Sequence, residues 1–172
     1  MLNAKDLARL GLMVAILEVS KLALASLPNI ELVSFWLILF TLRMGYRTLY
    51  AVYGFVLLEG ILYGVHIWWI AYLYVWTLLV LLTQCFRSQQ SVFFWSIFSA
   101  LFGLCFGALC APVYAAAGGW LYALTWWGSG IPMDLLHCGG NFVLALVLFR
   151  PLRSLLDKLL VQAKLKPPAP GI

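Results

Sequence analysis

Charged residues are scarce in this chain of 172 residues. Lys, Arg, Asp and Glu together make up 10% of it, whereas an ordinary soluble domain carries roughly 25% charged residues. Hydrophobic residues make up 65%, and no water-soluble fold of this length could bury so much apolar surface. The composition therefore excludes an ordinary soluble domain and predicts an all-α integral membrane protein.

Sequence motifs for catalysis and metal binding are also missing. The chain has two histidines without an HExxH motif, no Walker A motif, and four cysteines without CxxC or zinc-finger spacing. The Gly-Ser-Gly sequence at 128–130 lacks the GxSxG spacing of a nucleophile elbow. We therefore expect no enzyme activity, no cofactor and no metal, with a metal site at His66, Asp134 and His137 as the alternative.

Long apolar segments predict six transmembrane helices in a single domain. About 20 apolar residues cross the hydrocarbon core of a bilayer, and the chain has room for six such segments. Turn residues separate them at Pro28-Asn29 and at 87–91, and a longer loop is predicted at 118–132. A disordered tail is predicted at 164–172. The predicted spans are residues 7–27, 30–44, 48–65, 68–86, 92–117 and 132–156.

The basic residues predict the orientation of these spans. Six spans place both termini on one side of the membrane. If that side is the cytoplasm, ten of the eleven Lys and Arg residues lie inside, and only Lys21 lies toward the outside. We therefore predict that both termini are cytoplasmic. The membrane topology then explains the formal charge of +5, and we expect no binding to nucleic acid.

Polar and aromatic side chains gather toward the predicted outer side. Tryptophan and tyrosine form interfacial belts in many membrane proteins, so any one of these aromatics has that explanation too. Most of the tryptophans lie near the outer turns, however, which favours a pocket for a flat ligand. The candidate binding residues are Asn29, Glu31, Glu59, Tyr63, His66, Trp69, Trp76, Trp126, Trp127, Asp134, His137 and Asn141.

Ionisable residues within predicted spans are costly to bury and indicate either pairing or function. Glu18 and Lys21 lie three residues apart, and we expect them to neutralise each other. Glu59 has no local partner. It could accept a hydrogen bond from a ligand, or it could make a structural hydrogen bond to another helix.

Asp134, His137 and Asn141 have helical spacing that places them on one face of the last predicted helix. This face could bind a polar ligand. Asp134 alone has a second explanation, because a carboxylate near Pro132 would stabilise the N-terminus of a helix that begins there.

Several features together are typical of one family of membrane proteins. Six spans of this size include a first helix with small residues, and a Pro-Asn-Ile-Glu sequence at 28–31 enters the second span. A tryptophan-bearing loop is followed by the stretch 130–141 and by Arg-Pro-Leu at 150–152. Over residues 5–160, the chain resembles the substrate-binding S components of energy-coupling factor (ECF) vitamin transporters, most of all those of the cobalamin type.

The resemblance implies a function and a set of partners. An S component binds a vitamin on the outer face and then topples in the bilayer while docked on a transmembrane T component, which two ATPases drive. Gly11 and Ala15 replace the family's AxxxA docking motif on the first helix. Cobalamin is the first expectation for the substrate, and pyridoxine-like vitamins or pantothenate are alternatives. A membrane scaffold without transport function is the competing class.

Overall fold

The structure is a computed structural model that describes residues 4–162. Within this range the chain is all helical, which confirms the prediction of an all-α protein. The predicted tail at 164–172 lies outside the described residues. The elements are α1 (Ala4–Ala23), α2 (Val33–Met44), a 3-10 turn (Gly45–Arg47), α3 (Thr48–Tyr63), α4 (Ile67–Cys85), α5 (Val92–Leu104) and α6 (Phe106–Gln162).

A single glycine divides α6 into two arms. Gly119 has φ 85° and ψ 168°, a left-handed φ that residues with a Cβ rarely adopt. The chain reverses direction there, so that residues 92–118 and 120–162 form an antiparallel helical hairpin, which we call the hairpin.

Three contacts define the register of the hairpin. The ring centres of Tyr114 and Trp126 are 3.7 Å apart in a stacked arrangement. Farther from the tip, the Phe106 and His137 ring centres are 5.1 Å apart, and farther still the backbone of Ser99 contacts the side chain of residue 141. Partners in the two arms thus lie at comparable distances from the tip, as antiparallel packing requires.

The hairpin differs from the predicted loop at 118–132. Apart from the break at Gly119, these residues are helical, even though Gly128, Gly130 and Pro132 had suggested irregular backbone. Membrane helices tolerate such residues when neighbouring groups satisfy the freed backbone atoms. Asp134 consequently lies inside a long helix, and its explanation as an N-terminal cap does not apply.

The described helices agree in part with the predicted membrane spans. Two segments are long and apolar enough to cross a membrane, namely Ile67–Cys85 and Val92–Leu159, which contains the hairpin. α2 has 12 residues and α3 has 16, fewer than the roughly 20 that a straight span of the hydrocarbon core needs. The first predicted span also ends earlier, because α1 stops at Ala23 and irregular backbone follows.

The core forms around α2. Its sequence carries no charge before Arg43, and a helix that is apolar all round is stable only where other helices surround it. Phe35 and Phe40 on α2 are almost wholly buried, as are Phe55 on α3 and Phe149 on the second arm of the hairpin. α1, α3, α4 and the hairpin therefore pack about α2 and leave their own outer faces exposed.

The loop between α1 and α2, residues 24–32, lies at one end of this bundle. Backbone hydrogen bonds spanning three residues, such as Leu27 N–H to Leu24 O at 2.9 Å, keep it compact. Asn29 adopts φ 54°, a left-handed conformation that Asn tolerates better than most residues with a side chain. The opposite end of the bundle carries an ion pair between Arg43 and Asp157.

Candidate functional site

A cavity of about 330 Å³ lies beneath the loop at 24–32. We call it the loop cavity. α1, α3, α4 and both arms of the hairpin contribute to its walls. Its aromatic walls are formed by Phe55, Tyr72, Trp76 and Phe106, and its polar groups by Lys21, Asn29, Glu31 and His137.

The aromatic walls form a connected array. Tyr72 and Trp76 are four residues apart on α4, so they lie on one face, with ring centres 5.2 Å apart. Phe106 of the hairpin lies 5.4 Å from Trp76, and Phe55 of α3 stacks on Tyr72 at 6.5 Å. Such faces suit a flat or conjugated ligand, because aromatic rings pack against each other with a gain beyond simple area burial.

Trp76 also carries an unused hydrogen-bond donor. Its side chain is 2% exposed, and its Nε1–H has no acceptor among the described residues. A buried polar group left unpaired costs about 1–3 kcal/mol. A ligand acceptor in the loop cavity could offset that cost after a small movement of the indole.

A hydrogen-bonded pair closes one side of the loop cavity. His137 Nε2 lies 3.0 Å from Glu31 Oε1, which joins the loop to the second arm of the hairpin. The backbone N–H of Ser34 donates to the other Glu31 oxygen at 3.0 Å, and the Ser34 hydroxyl also donates to this carboxylate. Burial by itself raises the pKa of Glu31, but the hydrogen bonds and charge of His137 and Ser34 outweigh it and lower that pKa below its ordinary value.

A cluster of ionisable side chains lies beside the loop cavity and links α1 to α3. Lys21 Nζ donates to both oxygens of Glu59, at 2.6 and 2.5 Å, and Glu59 is 0% exposed. The ammonium also lies 4.2 Å from the centre of the Tyr63 ring, a cation–π contact. The Tyr63 hydroxyl in turn donates to Glu18 at 3.3 Å. We call these four residues the Lys21 cluster.

The Lys21 cluster corrects the expected pairing of Glu18 with Lys21. The lysine instead reaches across to the next helix and pairs with Glu59. Of the two readings of Glu59, the hydrogen bond to another helix is therefore the one present in the structure. Lys21 borders the loop cavity, whereas Glu59 lies behind it.

The structure divides the other predicted binding residues among several places. Asn29, Glu31, Trp76 and His137 all line the loop cavity. Near the turn between α3 and α4, His66 Nε2 contacts the carbonyl of Tyr63 at 2.8 Å, and Trp69 Nε1–H donates to Val56 O at 2.7 Å. Neither His66 nor Trp69 borders the cavity.

Four further predicted residues lie within the hairpin. Asp134 Oδ1 accepts a hydrogen bond of 3.0 Å from the backbone N–H of Gly107, which follows the break between α5 and α6. Asn141 Nδ2 donates to Ser99 O at 3.2 Å. Trp126 stacks on Tyr114, and Trp127 packs half-buried against the core. These contacts hold the two arms together.

Several wall residues were missed by sequence reasoning. Phe55, Tyr72 and Phe106 all line the loop cavity. Tyr72 could have been found, because it lies one helical turn from Trp76 on the predicted fourth span. Phe106 follows the break at Cys105, and its position beside the cavity depends on how the hairpin packs against α4.

The small residues Gly11 and Ala15 lie on an exposed face of α1. A Cβ on Gly11 would meet nothing within 4 Å, so this glycine does not serve close packing inside the protein. Packing of α1 against α3 instead uses Val14, whose side chain meets Gly54. The two small residues predicted to contact a partner helix therefore face outward.

No protein-family model, curated protein or solved structure matches this chain significantly. Among residues 4–162, no group of three or more His, Cys, Asp or Glu side chains is placed to hold a metal ion. In the same part of the chain, aromatic faces, a buried N–H donor without an acceptor and the polar groups of Lys21, Glu31 and His137 surround a partly open space. This arrangement is suited to binding a small molecule.

Proposed function

We propose that this protein is the vitamin-binding S component of an ECF transporter. The observation that carries the proposal is the loop cavity, an aromatic chamber covered by a short loop that a side-chain pair ties to the second arm of the hairpin. Glu31 and His137 form that pair at 3.0 Å. Breaking it would free the loop at 24–32 to admit a ligand, and re-forming it would close the chamber over the ligand.

The distribution of charge supports the proposed topology of six spans with both termini in the cytoplasm. The end of the bundle away from the loop cavity carries Arg43, Arg150 and Arg153 near the last turns of the hairpin. The end with the loop cavity carries Lys21 as its basic residue. Basic residues remain on the cytoplasmic side during insertion, so the loop cavity would face outward in a prokaryotic plasma membrane.

The outward-facing small residues on α1 support the proposal that a partner helix binds there. Gly11 and Ala15 lie where a second helix could approach the backbone closely, as helices do in lipid. In the proposed function, this partner is the T component, and two ATPases supply the energy that topples the subunit and releases the vitamin inside.

The size of the cavity supports a small vitamin over a corrinoid. At about 330 Å³ it falls at the lower end of the roughly 300–1,000 Å³ range of small-molecule sites. Cobalamin, a corrin ring with a nucleotide tail, is several times larger than this space. We propose a one- or two-ring heteroaromatic vitamin of the pyridoxine kind, and cobalamin would require the loop to remain open.

Binding by the purified chain tests this proposal. We would screen pyridoxine, thiamine, riboflavin, nicotinamide, pantothenate and cobalamin by calorimetry and tryptophan fluorescence. One compound should bind saturably, and His137→Ala should weaken its binding. His66→Ala is the matched control, because His66 is exposed and lies outside the loop cavity.

Transport supplies the second arm of the test. Uptake of the bound vitamin should require co-expression of the T component and both ATPases. A chain that binds none of the six compounds would instead support the scaffold alternative. Chemical turnover without the ATPases would point to an enzyme.

A further inference from the structure

A second cavity, of about 600 Å³, lies between the start of α5 and the second arm of the hairpin. It is separate from the loop cavity, and the two share no lining residue. We call it the arginine groove. The residues that matter here are Gln90, Phe93, Leu146, Phe149, Arg150 and Arg153.

Two positive charges in the arginine groove, those of Arg150 and Arg153, form no ion pair within residues 4–162, although Asp157 attracts Arg153 from a distance. Arg153 Nη2 donates to the amide oxygen of Gln90 at 2.5 Å, and its guanidinium lies 5.8 Å from the centre of the Phe149 ring. Both partners are uncharged. Arg150 is exposed, and no ion pair to it is found within residues 4–162. The nearby Asp157 is paired with Arg43.

The wall beside these arginines is apolar and continues along the hairpin. Phe149 is buried beneath the groove, whereas Phe93 and Leu146 are exposed at its side. Val147, next to Leu146, and Val143, one turn farther from the arginines, are also exposed on the second arm. The groove thus joins a cationic end to an apolar strip that runs toward the middle of the helices.

We propose that the arginine groove binds an anionic phospholipid. The phosphate lies between Arg150 and Arg153, because guanidinium groups donate paired hydrogen bonds to phosphate oxygens. An acyl chain follows Phe93 and Leu146 along the apolar strip. The inference rests on the proposed membrane topology, which places this end in the cytoplasmic leaflet, where anionic lipids attract basic residues. It does not depend on the identity of any vitamin.

Native mass spectrometry of the full chain tests the lipid site. The protein would be exposed to phosphatidylglycerol and to phosphatidylcholine with the same acyl chains. We expect one phosphatidylglycerol to be retained preferentially. Each arginine near an anionic surface contributes about 1 kcal/mol, or about a factor of five, so R150Q/R153Q should weaken retention about 25-fold.

Arg47→Gln is the matched control, because Arg47 is an exposed arginine in the turn before α3, outside the groove. It should leave retention unchanged. Phe93→Ala should weaken retention of long-chain lipid more than that of a short-chain analogue. Circular dichroism and gel filtration of each variant would establish that it folds.

Three outcomes would overturn the lipid site. They are equal retention by R150Q/R153Q, an equal loss in Arg47→Gln, or displacement of the lipid by millimolar inorganic phosphate, which would indicate a free-anion site. Vitamin binding measured on the same variants separates the two proposals. If R150Q/R153Q loses lipid and keeps vitamin binding, the lipid site stands by itself, whereas absent vitamin binding in wild type counts only against the proposed function.

Discussion

Replacing Lys21 by Met should strongly destabilise the protein. Glu59 is 0% exposed and receives two hydrogen bonds from the Lys21 ammonium. Lys21→Met keeps the length of the side chain but leaves a buried carboxylate without its partner, close to a second carboxylate at Glu18. Removing one member of a buried ion pair costs about 3–5 kcal/mol. For a chain of this size, that loss lowers the melting temperature by roughly 6–20 °C.

The reverse substitution should be milder, which makes the test specific. The Lys21 side chain is 29% exposed and borders the loop cavity. After Glu59→Gln, its ammonium can turn toward the cavity and remain on the Tyr63 ring. We therefore expect a smaller loss of about 1.5–3 kcal/mol, the contribution of a hydrogen bond to a charged group.

The double variant Lys21→Met/Glu59→Met removes both members of the pair. Replacing a whole buried ion pair by apolar residues of similar volume is often neutral or stabilising, so stability should return close to that of wild type. Thermal unfolding followed by tryptophan fluorescence in detergent measures all four proteins. A Lys21→Met protein as stable as wild type, or a double variant less stable than either single one, would refute the buried pair.

Three further predictions concern other parts of the molecule. Glu31 has a lowered pKa in the folded protein, so it stabilises the fold above its ordinary pKa of 4.5, and this stabilisation is lost as the pH falls through the folded pKa. The melting temperature of wild type should therefore fall at acid pH, and Glu31→Gln should make that fall smaller. Gly107→Ala should lower the free energy of unfolding by about 1–3 kcal/mol, because its Cβ would overlap the buried carboxylate of Asp134. Gly128 has open space around it, so Gly128→Ala should leave the stability unchanged or raise it. Trp76→Phe removes one hydrogen-bond donor and should weaken binding of the vitamin that the panel identifies by about 2- to 12-fold in calorimetry. An equal effect of Trp120→Phe, at the exposed tip of the hairpin, would contradict this prediction.

The helical content could be predicted because it depends on composition and local pattern. Few charges and long apolar segments leave helices as the simplest way to satisfy the backbone in an apolar setting. The turn at Pro28-Asn29 was also readable, since Asn29 tolerates the left-handed backbone it adopts. The long loop at 118–132 was not, because Gly128 and Pro132 resemble turn residues and only tertiary packing keeps them helical.

The types of residue in the candidate site could be predicted from the sequence, but which of them lie together in one cavity could be predicted only in part. Glu31 and His137 were selected one by one, and their contact, across 106 positions of sequence, depends on the register of the hairpin. Local spacing paired Glu18 with Lys21, whereas the lysine reaches Glu59 on another helix. The spacing of residues along one helix does not show which other helix packs beside it. The packing of the helices determines which partners the polar side chains contact.

The reversal at Gly119 makes the hairpin sensitive to the number of residues in each arm. Partners lie at comparable distances from the tip, so one residue inserted within an arm would turn everything beyond it by about 100°. Asp134, His137 and Asn141 would then turn away from their present partners, and those partners would lose their contacts. Evolution can therefore lengthen this protein at the tip of the hairpin, where extra residues change no register, far more easily than anywhere between the tip and the loop cavity.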